Sequence, residues 1–140
     1  MLLIREMEND EVEDIILTEY DCFGYSVFAD LSQTDYRKKV IIAECNGEIL
    51  GFVIIYWNDN GIYIGNLFIK EEYRNRGLGK TLLDRAIMES LKLGFRKIYA
   101  TVSVSNEALS FYLKNGFKVE ETIKHYYGIS KHAFKLSKSF

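Results

Sequence analysis

The chain has 140 residues, of which 48% are apolar, 27% charged and 14% aromatic, a balance that fits one packed domain and excludes a disordered or fibrous protein. Its formal net charge of −2 gives no general attraction to nucleic acid or to an anionic membrane surface. The start turns acidic at Glu6 and does not read as a signal peptide, and the longest apolar run, Phe52 to Trp57, is far too short to span a bilayer. The expectation is a cytoplasmic protein with no nucleic-acid or membrane partner. Cys22 and Cys45 have neither zinc-ligand spacing nor the pattern of a disulfide framework, and are expected to be buried or half-buried thiols in a reducing compartment.

Residues 2–6 read as a short strand and 10–21 as an acidic helix with Val12, Ile15, Ile16, Glu19 and Tyr20 at helical spacing. Residues 22–37 combine irregular chain with a second short helix. Lys39 to Cys45 is rich in β-branched residues and ends at Asn46-Gly47, a strong hairpin signal. Glu48 to Trp57 returns as its partner, Asn58-Asp59-Asn60-Gly61 turns the chain, and Ile62 to Ile69 makes a third strand, so 39–69 is an antiparallel meander. From Gly77 the period changes. Leu78, Leu82, Leu83, Ala86, Ile87 and Leu91 form one face of a helix of about four turns, closed by Gly94. Arg96 to Val102 arrives after that helical crossover and is expected to pair in parallel. Glu107 to Lys114 is a helix with Ser105 or Asn106 as N-cap and Gly116 beyond its end. Strands at 117–126 and 132–137 complete a mixed α/β sheet with helices on its faces.

The stretch Arg74-Asn75-Arg76-Gly77-Leu78-Gly79-Lys80-Thr81 follows a strand and opens the long helix. Its glycines permit a tight turn and close approach to a ligand, the first helical N–H groups point outward, and three cations surround them, a setting that suits phosphate. A Walker loop would need Gly where Arg74 stands, and a dinucleotide fingerprint would need Gly where Leu82 stands. The pattern left is Arg-x-x-Gly-x-Gly, against the plainer alternative of a basic turn before a helix.

This pattern resembles the pyrophosphate signature of the GNAT superfamily of acetyl-CoA-dependent N-acetyltransferases. Ile41 to Phe52 is similar to the hairpin of that family's second and third strands, Gly65-Asn66-Leu67-Phe68-Ile69 to its bulged fourth strand, and Asn106 to Phe117, with Tyr112-x-x-x-Gly116-Phe117, to the helix that follows its fifth strand. The resemblance covers most of the chain. It implies a mostly antiparallel sheet splayed between the fourth and fifth strands, acetyl-CoA as cosubstrate with no metal, and direct transfer through a ternary complex. It implies that Leu67, Phe68 and Ile69 pair with pantetheine, that Arg74, Asn75, Arg76, Gly77, Leu78, Gly79 and Lys80 hold the pyrophosphate, and that Tyr112 protonates the departing thiolate. Tyr112 also has a plainer reading as a core aromatic. Counted from the fifth strand, Asn106 takes the family's coenzyme-contacting asparagine position; counted back from Tyr112, Ser105 does. Thr101 stands where some ribosomal-protein N-terminal acetyltransferases carry a catalytic glutamate. That leaves Glu19, His125, Tyr126, Tyr127 or ordered water as candidate bases.

The tail His125-Tyr126-Tyr127…Ala133-Phe134-Lys135-Leu136 resembles the Tyr-Tyr…Ala-Tyr-x-Met ending of protein N-terminal acetyltransferases, with His132 in place of an Asp. Phe23-Gly24-Tyr25-Ser26 resembles the Phe-Pro-Trp-Ser of the RimI-like branch. The resemblance implies Tyr25, Asn66, Tyr126 and Tyr127 at the acceptor, expected to be a protein or peptide N-terminus. An α-amine, with a pKa of about 7.7–8.0 against about 10.4 for lysine, needs less help to lose its proton, which suits a site without an evident carboxylate base. A small-molecule amine acceptor and a non-catalytic acyl-CoA sensor are the alternatives, and the assembly is expected to be a monomer or a homodimer.

Overall fold

Asn46 and Gly47 both take left-handed backbone, φ +51° and +84°, the pairing that a two-residue hairpin turn demands and that Asn-Gly tolerates best. In a computed structural model that describes residues 1–104 and 106–140, this turn joins β2 (Arg37–Cys45) to β3 (Glu48–Asn58). The other strands are β1 (Leu2–Glu6), β4 (Gly61–Ile69), β5 (Lys97–Ser103), β6 (Lys118–Ile123) and β7 (Ala133–Ser139). The helices are α1 (Val12–Phe23), α2 (Val27–Leu31), α3 (Leu78–Lys92) and α4 (Ala108–Lys114). One seven-stranded sheet runs β1-β2-β3-β4-β5-β7-β6, antiparallel throughout except for the parallel pair β4–β5.

The meander strands are apolar on both faces, and both faces are covered. Along β3, Val53 and Ile55 point to one side, where Leu82, Leu83 and Ala86 of α3 join Ile41, Ile62 and Ile98 in the larger core. Phe52 and Ile54 point to the other, where Ile15 of α1 and Val40 and Ile42 of β2 close a smaller core, with Val27 and Phe28 packed against it. This explains the unbroken apolar run in β3, since a strand buried on both sides has no polar face to alternate with. Each fully buried Ile or Leu contributes about 1.5–3 kcal/mol.

Several expected boundaries move. A 3-10 turn at Asn9–Glu11 precedes α1, which starts at Val12 and continues to Gly24, a left-handed stop with φ +80°. Leu91 projects outward from α3, because the buried stripe follows Leu78, Leu82, Leu83 and Ala86 and then passes to Glu89 and Ser90. β6 stops at Ile123, not 126, since His125 has positive φ and breaks the ladder. The start of α4 also differs: the cap position falls on Glu107, yet the Asn106 Oδ1 accepts from the Ala108 amide at 2.8 Å and so does the capping work. The alternative cap, Ser105, lies outside the described residues. Cys22 is exposed and Cys45 half-buried, so the expectation of two shielded thiols fails for Cys22, which sits on the outer face near the end of α1. Among the described residues, no helix is long and apolar enough to cross a membrane.

Candidate active site

β4 and β5 pair only from Ile62–Ile64 to Ile98–Ala100. Beyond Ile64 the ladder ends, while β4 stays paired to β3 through Leu67, Phe68 and Ile69. The register between β3 and β4 slips by one residue at Gly65–Asn66, because Ile55 faces Ile64 but Val53 faces Leu67. The extra residue bends β4 away from β5 and frees the β5-facing backbone edge of its last residues, as bulges do beside functional clefts. Gly51 allows this path: a Cβ there would lie 2.4 Å from the Phe68 carbonyl oxygen.

The start of α3 follows directly. Asn75 and Gly77 hold left-handed φ values of +62° and +80°, and Gly77 is the N-terminal cap. Gly79 serves a different purpose, since a Cβ there would meet the Phe111 ring at 3.2 Å. The first-turn amides at Leu78, Gly79 and Lys80 have no intrahelical acceptor and face outward with the positive end of the helix dipole. Arg74 is anchored by its Nε on the Ile69 carbonyl at 2.9 Å, Arg76 lies over the Tyr73 ring, and Lys80 pairs with Asp84 at 2.8 Å on the exposed surface. The three cations belong to the loop and first turn that open α3, and the Arg74 bond ties that loop to the end of β4.

Tyr112 lies on α4, 5% exposed, with its ring edge-on to Phe111 and Phe117. Burial pushes its phenol well above the ordinary range, so it stays protonated at neutral pH. Phe111 also touches the Gly79 position, so α4 packs against the phosphate-type loop.

On the α1–α2 side of the sheet, a groove of about 410 Å³ opens where β4 leaves β5. Ile64 and Gly65 of β4 and Ala100 and Thr101 of β5 line its inner end. Its walls are tyrosines: Tyr25 before α2, Tyr56 and Tyr63 from β3 and β4, and Tyr126 and Tyr127 between β6 and β7. Tyr56 and Tyr63 stack with ring centroids 5.3 Å apart. Burial pushes Tyr56 and Tyr127 up to about 12, and raises Tyr25 as well. These phenols remain neutral in the physiological range. Asp30 is the charged residue among the lining groups.

Of the residues singled out in the sequence, Tyr25, Tyr126 and Tyr127 come together here, with Asn66 behind them: the Tyr25 hydroxyl approaches Asn66 Oδ1 at 3.5 Å. Glu19 is not available as a base. It is fully buried, and its oxygens accept from Ser26 Oγ, Val27 N, Phe28 N and Asn66 Nδ2. His125 lies outside the groove lining, and its Nδ1 accepts from the Ser130 amide at 2.9 Å. Asn106 sits at the start of α4 with its oxygen already engaged. Tyr56, Tyr63 and Asp30 were missed. Period-two alternation from the buried Phe52 and Ile54 places Tyr56 on the α1–α2 face opposite Tyr63, a signal present in the sequence.

Residues 4–117 match the model of the acetyltransferase (GNAT) family. An N-alpha-acetyltransferase of Sulfurisphaera tokodaii is 28% identical over 96% of this chain and 90% of its own length. Among solved structures, a GNAT family acetyltransferase from Elizabethkingia anophelis with acetyl-CoA bound superposes with TM-score 0.82 at 21% identity, covering 99% of this chain and 98% of that one. Arabidopsis thaliana Naa50, in complex with the bisubstrate analogue CoA-Ac-MVNAL, superposes with TM-score 0.81 at 24% identity and 99% coverage of both chains. The bulged and parted fourth strand, the glycine turn that opens α3 and the family match agree: this chain belongs to the GNAT family and is an N-acetyltransferase that uses acetyl-CoA.

Proposed function

We propose that the acceptor is the α-amine of a protein or peptide N-terminus. The observation that carries this reading is the groove at the β4–β5 opening, walled by neutral tyrosines with Asp30 as the charged group in its lining. A polyamine acceptor keeps a second positive charge and needs several acidic partners, whereas a peptide needs hydrogen bonds for its backbone and apolar surface for its side chains. Tyrosine hydroxyls and rings offer both. The similarity to an N-alpha-acetyltransferase supports the same acceptor.

In this reading Leu67, Phe68 and Ile69 pair with the pantetheine arm, and one of their amides receives the developing oxyanion. Arg74, Asn75, Arg76 and the turn Gly77-Leu78-Gly79-Lys80 hold the pyrophosphate, with Asn106 beside the coenzyme. Tyr25, Asn66, Tyr126 and Tyr127 hold the acceptor. The amine nitrogen attacks the thioester carbonyl carbon, its proton leaves through water in the open groove, and the carbonyl electrons move to oxygen. Collapse restores the carbonyl and breaks the carbon–sulfur bond. Tyr112, kept protonated by burial, gives its proton to the sulfur and regains one from solvent.

The test is mass spectrometry with acetyl-CoA and paired peptides, one with a free α-amine and no lysine, the other with a blocked N-terminus and one lysine. One acetyl group gained by the first alone is the expected outcome. A gain by the second alone moves the assignment to lysine, and binding of acetyl-CoA with no gain by either points to small amines or to a sensor.

A further inference from the structure

Glu19 carries a carboxyl group that the transfer step does not use, and it is entirely withdrawn from solvent. Its Oε1 accepts from Ser26 Oγ at 2.8 Å and Phe28 N at 3.2 Å, and its Oε2 accepts from Val27 N at 2.9 Å and Asn66 Nδ2 at 2.6 Å. Three of these donors belong to the turn that carries Tyr25 into α2. The fourth belongs to the β4 bulge. One buried carboxylate thus ties the acceptor wall to the strand that parts to admit the thioester.

The geometry of the pair decides which way Asn66 faces. The Val27 and Phe28 amides already donate to Oε2 and Oε1, so both Glu19 oxygens act as acceptors, and Asn66 turns its NH2 toward Glu19 and its carbonyl oxygen away. That oxygen then faces Tyr25, whose hydroxyl stands 3.5 Å from it beside the groove. We infer that Glu19 is a positioning residue: acting through Asn66, it presents a fixed carbonyl oxygen to the N–H of the incoming amine. This inference rests on the acceptor groove described above. An attacking amine must aim its lone pair at the carbonyl carbon while its hydrogens point elsewhere, and a fixed amide oxygen selects that orientation without keeping the proton. A reversed carboxamide would set NH2 against N–H and repel the acceptor.

Glu19→Gln tests the arrangement, because its amide can donate to Asn66 and let that side chain flip. The acceptor KM should rise roughly tenfold or more, as expected when a hydrogen bond to an aligned group is lost, while the acetyl-CoA dissociation constant stays unchanged. Asn66→Ala should show the same split while leaving Glu19 its three donors at α2, which keeps the test open if Glu19→Gln folds poorly. Combining the two should cost no more than either alone. Equal losses in acceptor and acetyl-CoA binding, strict additivity, or an unchanged acceptor KM in Asn66→Ala would each overturn the inference. The assays use whichever amine the wild-type enzyme acetylates, so a wrong acceptor class shows in the wild type and a wrong role for Glu19 shows only in the variants.

Discussion

The β1–β4 half of the sheet and the β5–β7–β6 half are built differently. In the first, the antiparallel ladders are continuous apart from single-residue slips, and β3 is buried without a break from Leu50 to Ile55. In the second, β6 is exposed along nearly its whole length, and the chain joining it to β7 carries positive φ at His125, Gly128 and Ser130. The densely buried half ends in the strand edge proposed for the thioester, where a small displacement would misplace a hydrogen bond. The other half supplies Tyr126 and Tyr127 from that exposed connection, and in the proposed reading these side chains meet an acceptor peptide whose sequence differs from one substrate to the next. Precision sits where the core is dense on both faces, and adaptability sits where the sheet is exposed.

The sharpest way to break this division is chemical. Tyr112→Phe should lower kcat by about 10²–10⁴ and leave acetyl-CoA affinity and melting temperature nearly unchanged, read by steady-state kinetics and calorimetry. Unchanged turnover would leave Tyr112 a packing residue only. Gly51→Ala comes next. The added Cβ would fall 2.4 Å from the Phe68 carbonyl, so β3 and β4 must separate, at roughly 2 kcal/mol or more by overpacking. Denaturant melts should show that loss together with weaker acetyl-CoA binding, since the displaced β4 carries the edge proposed for pantetheine. Tyr127→Ala should act on the other half alone, raising the acceptor KM several-fold while stability shifts by less than about 1 kcal/mol.

The smallest effect concerns β1. Hydrogen bonds from Arg5 hold the Glu11 and Glu44 carboxyls below their ordinary 4.5. A depressed carboxyl contributes stability that is fully present above its unfolded pKa and is lost as pH falls through the folded one. The wild-type melting temperature should therefore drop on acidification below about pH 4.5, and Arg5→Ala, slightly less stable at pH 7, should show a shallower drop.

Much of the architecture was legible because the signals are local. Asn46-Gly47 sets a hairpin through its two left-handed residues, and the change from unbroken apolar strands to the Leu78-Leu82-Leu83-Ala86 stripe marks the crossover helix. The glycine turn could be read for the same reason, since Gly77 is needed for its own φ. Glu19 misled for the opposite reason. Its sequence position makes it a candidate base, and nothing nearby in sequence announces that Asn66, 47 residues on, will donate to it. Leu91 and Cys22 failed similarly, because a helical period says which residues share a stripe but not where the sheet beneath it ends.

The sequence by itself determined the elements, the turns with positive φ and the family pattern, because these depend on residues within a few positions of one another. The tertiary structure decided which edge of β4 stays unpaired, which tyrosines gather into one groove and which carboxylate is buried. Those outcomes depend on register and strand order: a one-residue slip at Gly65–Asn66 bends a strand, and residues distant along the chain meet only when the sheet closes around them.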